Sequence, residues 1–113
     1  RLVGSEMCIR DRNLPIIVTG DFNAVPSDEP IQVLTNPSDP RHLTHSRTIA
    51  GFTYGPKWTF HDFGKIPYDK REWIDYIFVK GNIKVLRHGV LTETLNNLFP
   101  SDHCPVISTL ILE

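Results

Sequence analysis

The sequence predicts a mixed α/β protein built in layers, and three observations support that prediction. Four short segments are predicted to be strands: three apolar runs at residues 14–19, 73–79 and 105–112, and a more mixed segment at residues 83–91. One segment, which begins at Ser27, carries the signals of a helix start. Short connections join most of these elements, and no internal repeat interrupts the chain. Such a mixture favours sheets that are covered by helices.

The first strand and the helix are predicted near the beginning of the patterned region. Residues 14–19 (LPIIVT) form an apolar run that stops at Gly20, which predicts a buried strand. Ser27 is the expected N-cap of a short helix that ends near Leu34, with acidic residues in its first turn. Residues 36–40 (NPSDP) then have the composition of a loop.

The middle of the chain is less patterned. Residues 41–56 are polar and lack firm periodicity, so no element is predicted there. Residues 57–60 predict a short strand, and residues 61–70 predict a loop. The three remaining strand segments named above complete the sheets.

Residues 1–12 (RLVGSEMCIRDR) have no clear periodicity. They resemble a translated sequencing-adapter read-through, a peptide found at the ends of unrelated chains, although a poorly patterned amphipathic end would look similar. We treat them as a non-native leader and exclude them from the fold prediction. The expected domain is therefore a partial one that covers residues 13–113.

Charge and composition narrow the class of protein. The chain has 12 basic and 13 acidic side chains and a net charge of -1, whereas a tight binder of duplex nucleic acid usually has a basic excess. Small phosphorylated substrates remain compatible with this balance. No apolar run approaches the roughly 18 to 20 residues of a membrane helix.

The two cysteines, Cys8 and Cys104, indicate no disulfide framework, and Cys104 is predicted to be a buried, inert thiol.

The first stretch with chemical potential is Gly20-Asp21-Phe22-Asn23, directly after the first strand. Asp21 and Asn23 are two residues apart, so in extended geometry their side chains would project to the same side. A carboxylate and an amide together can hold a hard cation or position a water molecule on a phosphate. The alternative is a turn closed by Asx hydrogen bonds.

The second stretch is the strand at residues 73–79 (WIDYIFV), where Asp75 interrupts an apolar run. A buried carboxylate is costly unless it is paired or hydrogen-bonded, so Asp75 should have a specific partner. Two interpretations are open: a structural ion pair with Arg71 or Lys80, or a hydrogen bond that orients a catalytic histidine.

The third stretch is Ser101-Asp102-His103-Cys104-Pro105, just before the last strand. Adjacent side chains on an extended backbone point apart, so Asp102 and His103 should not pair with each other. Asp102 would then bind a metal, and His103 would be held by a distant carboxylate that fixes its tautomer. The alternative is an ordinary surface pair without a function. The chain has no glycine-rich phosphate loop, C-x-x-C pair or G-x-S-x-G motif, which removes common alternatives.

In order and spacing, GDFN at residues 20–23, IDYIFV at 74–79 and SDHCPV at 101–106 resemble the C-terminal motifs of the endonuclease/exonuclease/phosphatase superfamily. That superfamily includes DNase I-like nucleases, apurinic-site endonucleases, deadenylases, inositol polyphosphate 5-phosphatases and neutral sphingomyelinases. The resemblance covers residues 14–113, and the WTFH segment at 58–61 is similar to a T-F segment of small bacterial members. It implies the C-terminal half of a four-layer α/β sandwich with two mixed β-sheets.

The resemblance also implies a role for each matching residue. Asp21 would act on the attacking water or bind metal, and Asn23 would contact metal or the scissile phosphate. Asp75 would hold His103, Asp102 would serve the metal site, and His103 would stabilise the developing charge or transfer a proton. The implied cofactor is Mg²⁺, or Mn²⁺, which suits oxygen ligands.

The implied activity is metal-dependent hydrolysis of phosphoester bonds by in-line attack of water on phosphorus, with a phosphodiester, such as a nucleic acid, as the leading substrate. The alternatives are a phosphomonoesterase or lipid phosphodiesterase of the same fold, or a non-catalytic binding module. The early Asn and the metal-binding Glu of the superfamily's first half have no counterpart in this sequence. We therefore expect these residues alone to bind metal poorly, expose a sheet face and be nearly inactive.

Overall fold

The computed structural model describes residues 14–92, 94 and 98–113. Its elements, with labels used below, are β1 (Ile16–Asp21), α1 (Glu29–Leu34), β2 (Thr44–His45), α2 (Ser46–Ile49), β3 (Phe52–Tyr54), a 3₁₀ helix (Tyr68–Lys70), β4 (Asp75–Lys80), β5 (Ile83–Val90) and β6 (Val106–Leu112). No helix among them is long and apolar enough to cross a membrane. The predicted leader and Cys8 lie outside the described residues.

The strands form two three-stranded sheets. The first has the order β1-β4-β2 and is antiparallel throughout. The second has the order β3-β5-β6, with β3 parallel and β6 antiparallel to β5, so it is mixed. The α/β architecture with two sheets is therefore confirmed.

The register between β1 and β4 brings two acidic residues of the site together. In the pairing of β1 with β4, Asp21 at the end of one strand lies directly opposite Asp75 at the beginning of the other. Directly opposed residues of an antiparallel pair project to the same face, about 5 Å apart at their Cβ atoms. Two carboxylates from distant parts of the sequence are thereby brought to one end of the first sheet.

The core is built around the alternation of β4. Tyr76 and Phe78, two residues apart, are both fully buried, and their rings stack at 5.0 Å. Phe22 packs its ring edge-on against both, at 5.7 and 5.1 Å. Such aromatic pairs add stability beyond their buried area, so the strand that carries Asp75 is firmly fixed.

Two details of the first predicted elements are wrong. The strand near residue 14 was expected to be buried, but Ile17 is 46% exposed, because it faces away from the core. The N-cap of α1 is Asp28 instead of Ser27. The Asp28 carboxylate accepts the Val25 N–H at 2.9 Å, so it closes the turn that leads into the helix.

Residues 41–56, for which no element was predicted, contain β2, α2 and β3. These elements have two to four residues each, too few for a periodic pattern, and long-range pairing with β4 and β5 defines the strands. The strand predicted at residues 57–60 is wrong: only Phe60 forms isolated bridges there, with Glu72 and His103. The predicted loop at 61–70 is correct except for the 3₁₀ turn at its end.

A pair of histidines lies between the sheets. His45 on β2 and His88 on β5 have ring centroids 5.5 Å apart, and Trp73 stacks on His88. Neither nitrogen of His88 has a hydrogen-bond partner among the described residues. Burial lowers the pKa of both rings to about 4, and in His45 the neighbouring His88 adds to the effect. Both imidazoles are therefore neutral at neutral pH.

These histidines should make the protein less stable in acid. The unfolded chain takes up protons on both rings below pH 6.5, whereas the folded chain does so only near pH 4. The free energy of unfolding should therefore fall as pH drops through that window, by roughly 3 kcal/mol for each ring at most. Thermal melting between pH 4 and 7 measures this slope. His88→Leu should flatten the slope, whereas His42→Gln, in a loop outside the pair, should not. An unchanged slope in His88→Leu would refute the assignment.

Candidate active site

A short hydrogen bond joins the two sheets at the site. His103 Nδ1 lies 2.7 Å from Asp75 Oδ2, with Asp75 beginning β4 and His103 just before β6. Both side chains are partly buried, at 25% exposure for His103 and 19% for Asp75. Two interpretations were open for Asp75, and the structure contains the contact with a histidine. The other interpretation, an ion pair with Arg71 or Lys80, is not found among the ion pairs of the described residues.

This bond fixes the orientation of the ring. A carboxylate accepts the Nδ1 proton, so Nε2 is the nitrogen turned outward. It faces Asp21 Oδ2 at 3.7 Å and Asp102 Oδ1 at 3.8 Å. Both distances exceed a hydrogen bond, so Nε2 is available to a ligand between the two carboxylates.

The charges around His103 favour its protonated form. Burial lowers the pKa of the imidazole, but the hydrogen bond to Asp75 and the charges of Asp75, Asp102 and Asp21 outweigh it and raise the pKa above its ordinary value. His103 therefore keeps its proton to a higher pH than a free imidazole. A positive N–H donor pointing outward suits the binding of a phosphate oxygen.

Asn23 is placed differently from the sequence expectation. Its φ of 50° puts it in the left-handed region, so the chain has left the extended geometry in which Asp21 and Asn23 would share a side. The Asn23 N–H instead donates to Asp21 Oδ1 at 2.9 Å, closing the Asx turn that was the alternative interpretation. This bond occupies one oxygen of Asp21 and leaves Oδ2 towards His103.

Asp102 lies beside His103, and its Oδ1 is 3.8 Å from His103 Nε2, which is within ion-pair distance but too long for a hydrogen bond. The expectation that these neighbours do not pair therefore holds for hydrogen bonding only. Its backbone carbonyl accepts the N–H groups of both His61 and Asp62, at 3.0 and 3.1 Å. The loop at residues 61–70 is thereby tied to the site. The Asp102 carboxylate itself is 44% exposed and free of an arginine or lysine within ion-pair distance among the described residues.

The donor set fits a hard divalent cation. Ligand atoms of Asp21, Asp75 and His103 all lie within 4.8 Å of one another. Because Asp75 Oδ2 already accepts the Nδ1 proton, Asp21 Oδ2 is the oxygen of this group that remains for an ion, and Asp102, which is not one of the three, has its Oδ1 at 3.8 Å from His103 Nε2. Carboxylate oxygens suit Mg²⁺ or Mn²⁺ better than zinc, although these ions need further ligands to complete six positions.

Thr59 is the residue at the site whose contribution sequence reasoning missed. It was seen only as part of a family-like segment, yet it is fully buried. Its hydroxyl accepts the N–H groups of Ile74 and Asp75, at 3.0 and 3.2 Å. The sequence signal that could have indicated its burial is its position between two aromatic residues, Trp58 and Phe60.

Two other features complete the surroundings. The Phe60 ring packs at 4.9 Å from the His103 ring and covers one side of it. An open cleft of about 370 Å³ is lined by residues of β1, β4 and the segment before β6, among them Asp21 and Asp75. Cys104 lines the same cleft and is buried as predicted, and burial raises the pKa of its thiol.

Comparison with known proteins agrees with this geometry. The Endonuclease/Exonuclease/phosphatase family profile matches residues 2–103. The chain belongs to that family. The two sheets are therefore those of a part of the family fold, as the resemblance implied. No curated protein matches the chain significantly.

Solved structures of family members superimpose closely. An endonuclease/exonuclease/phosphatase from Bacteroides vulgatus has 30% identity and a TM-score of 0.84, with 99% of this chain and 42% of that chain covered. A family protein from Bacteroides thetaiotaomicron has 32% identity and a TM-score of 0.80 over 99% and 43%. A mannosyl-6-phosphatase from the same species has 31% identity and a TM-score of 0.77 over 97% and 43%. The chain thus spans about two fifths of these relatives.

Replacing Asp75 tests the electrostatics of the site. Asp75→Asn removes the hydrogen bond to a carboxylate and the charge that favour imidazolium, so the pKa of His103 should fall. Nuclear magnetic resonance titration of the His103 ring in metal-free buffer measures the change. Asp39→Asn, at an exposed carboxylate beside Arg41, is the control and should leave the His103 titration unchanged. A His103 pKa that is the same in Asp75→Asn and the wild type would rule out this coupling.

Proposed function

We propose that the complete protein hydrolyses phosphoester bonds by in-line attack of water on phosphorus, assisted by a divalent cation. The observation that carries the proposal is the outward-facing Nε2 of His103, held by Asp75 and flanked by Asp21 and Asp102. A cationic donor between two carboxylates offers sites for both an anionic ester and the metal that neutralises it.

Each side chain has a task in this reaction. The His103 imidazolium donates from Nε2 to a phosphoryl oxygen and stabilises the negative charge that develops there. Asp75 keeps the ring in the required tautomer and orientation. Asp21, whose free oxygen faces the same space, orients the attacking water and accepts its proton. The water oxygen forms the new bond to phosphorus while the opposite P–O bond breaks, and the leaving oxygen takes up a proton from solvent and departs as the alcohol.

The cofactor proposed is Mg²⁺, with Mn²⁺ as a substitute. Asp102 would hold it, and Asp21 would be the second ligand in the alternative in which it does not accept the water proton. Asn23 would contribute to the metal or to the phosphate, and further ligands would come from parts of the family fold outside this chain. When bound, such an ion neutralises phosphate charge and polarises the P–O bond.

The substrate class has two candidates. A phosphodiester, including nucleic acid, is the first, because diesterases and nucleases share the motif set seen here. A phosphomonoester is the second, and a specific observation favours it: one solved relative, at 31% identity, is a mannosyl-6-phosphatase. The net charge of -1 is compatible with small substrates of either kind. A non-catalytic binding module would keep the fold without turnover.

Hydrolysis assays on the complete gene product test the proposal. We expect bis(p-nitrophenyl) phosphate or p-nitrophenyl phosphate to be hydrolysed with Mg²⁺ and not with a chelator. His103→Ala should lower kcat by about 100-fold or more, because it removes a charge-stabilising donor. His42→Ala, at a histidine outside the site, is the matched control and should keep wild-type activity.

The pattern of results separates the candidates. Preference for the diester or the monoester decides the substrate class. Metal-independent turnover would refute the cation's role, and an active His103→Ala would refute the mechanism. A folded protein that hydrolyses neither ester, nor any member of a panel of sugar, nucleotide and lipid phosphates, would favour the binding module.

A further inference from the structure

Thr59 connects the two segments that carry the Asp75–His103 pair. It lies in the stretch at residues 57–60, which forms no strand but runs between the approach to β4 and the approach to β6. Its side chain is fully buried. A buried hydroxyl normally has hydrogen-bond partners, and those of Thr59 all belong to the site.

The side chain holds the Asp75 segment. Thr59 Oγ1 accepts two backbone N–H groups, from Ile74 at 3.0 Å and from Asp75 at 3.2 Å. The Thr59 N–H adds a third bond to the same segment, to the carbonyl of Glu72 at 3.0 Å. The backbone at the start of β4 is therefore fixed by three hydrogen bonds to one residue outside the sheet.

The main chain of the same residue holds the His103 segment. The Thr59 carbonyl accepts the N–H of Cys104, the residue next to His103, at 2.7 Å. The following residue, Phe60, forms a bridge with His103 and packs its ring on the imidazole. One buried threonine thus bonds directly to Asp75 and to the neighbour of its partner.

We propose that Thr59 is a positioning residue that sets the separation of Asp75 and His103. The expected effect of Thr59 on turnover rests on the proposed function, phosphoester hydrolysis. The branched Cβ restricts the side chain to few rotamers, so the oxygen is held where both N–H groups converge. The valine of equal shape would fill the space but leave two buried donors without an acceptor, and the start of β4 would shift to find partners.

Variants at Thr59 should separate positioning from simple stability. In Thr59→Val, kcat should fall by about 100-fold, the size expected when reacting groups move by about 1 Å, while KM changes little. Thr59→Ser keeps the acceptor and should retain most of the activity. Thr59→Cys matches serine in size but accepts hydrogen bonds weakly, so its kcat should lie between those of the serine and valine variants. The serine and cysteine pair tests the proposal even if the valine variant does not fold.

A control and a double variant complete the kinetic test. Ser46 is also fully buried, and its hydroxyl bonds to Ser108 away from the site. Ser46→Ala should lower the melting temperature without lowering kcat. Because Thr59 acts through Asp75, the double variant with Asp75→Asn should be little slower than Asp75→Asn alone. Multiplied losses in the double variant, or a Thr59→Val enzyme with wild-type kcat, would overturn the proposal.

A spectroscopic measurement keeps this proposal distinct from the proposed function. The hydrogen-bonded Nδ1 proton of His103 should give a downfield proton resonance in the complete protein, lost or shifted upfield in Thr59→Val and retained in Thr59→Ser and Ser46→Ala. An unchanged resonance in Thr59→Val refutes positioning. If the wild type hydrolyses no ester yet shows this pattern, the proposed function fails and the positioning role stands.

Discussion

The structure of the site depends on one hydrogen bond, between Asp75 and His103. Asp75 is the first residue of β4 and His103 lies three residues before β6, and the two strands belong to different sheets. A carboxylate that is partly withdrawn from water needs a compensating donor, and the imidazole supplies it. In return the ring receives one orientation, with Nε2 outward between Asp21 and Asp102. The orientation of the imidazole and the relative position of the two sheets therefore depend on the same contact.

The surroundings of that bond are unusually well fixed. Below Asp75, the stacked rings of Tyr76 and Phe78 hold β4 in the core. Beside it, Thr59 accepts the backbone donors at the start of the strand. The loop after β1 is fastened as well, because the Tyr76 hydroxyl donates to the Ala24 carbonyl at 2.7 Å. Rigid support of this kind is what precise charge stabilisation requires, since donors must already be in place when charge develops.

The sequence predicted the elements that have strong local patterns and missed those that depend on distant partners. The strand that carries Asp75 and the last strand of the chain were recognisable from apolar, β-branched runs. Their predicted ends differ from the observed ends by at most two residues. The strand of Thr44–His45 was not, because pairing with β4 alone defines it.

At the site, the contact of Asp75 with a histidine was one of two open interpretations. The Asx turn at Asn23 was likewise one of two open interpretations, because spacing alone does not separate an extended pair from a turn with a left-handed residue. Thr59 acts through bonds across the fold, which no short motif records.

The opposition of Asp21 and Asp75 across β1 and β4 has an evolutionary consequence. Side chains of a strand alternate between faces, so a shift of one residue in this pairing would send Asp21 to the opposite face from Asp75. A single-residue insertion that shifts the register of β1 would thus separate Asp21 from Asp75 and His103 while leaving every motif letter intact. Insertions and deletions should therefore be tolerated in the loops and selected against within these two strands, and a gap there would mark a relative in which the cluster is broken.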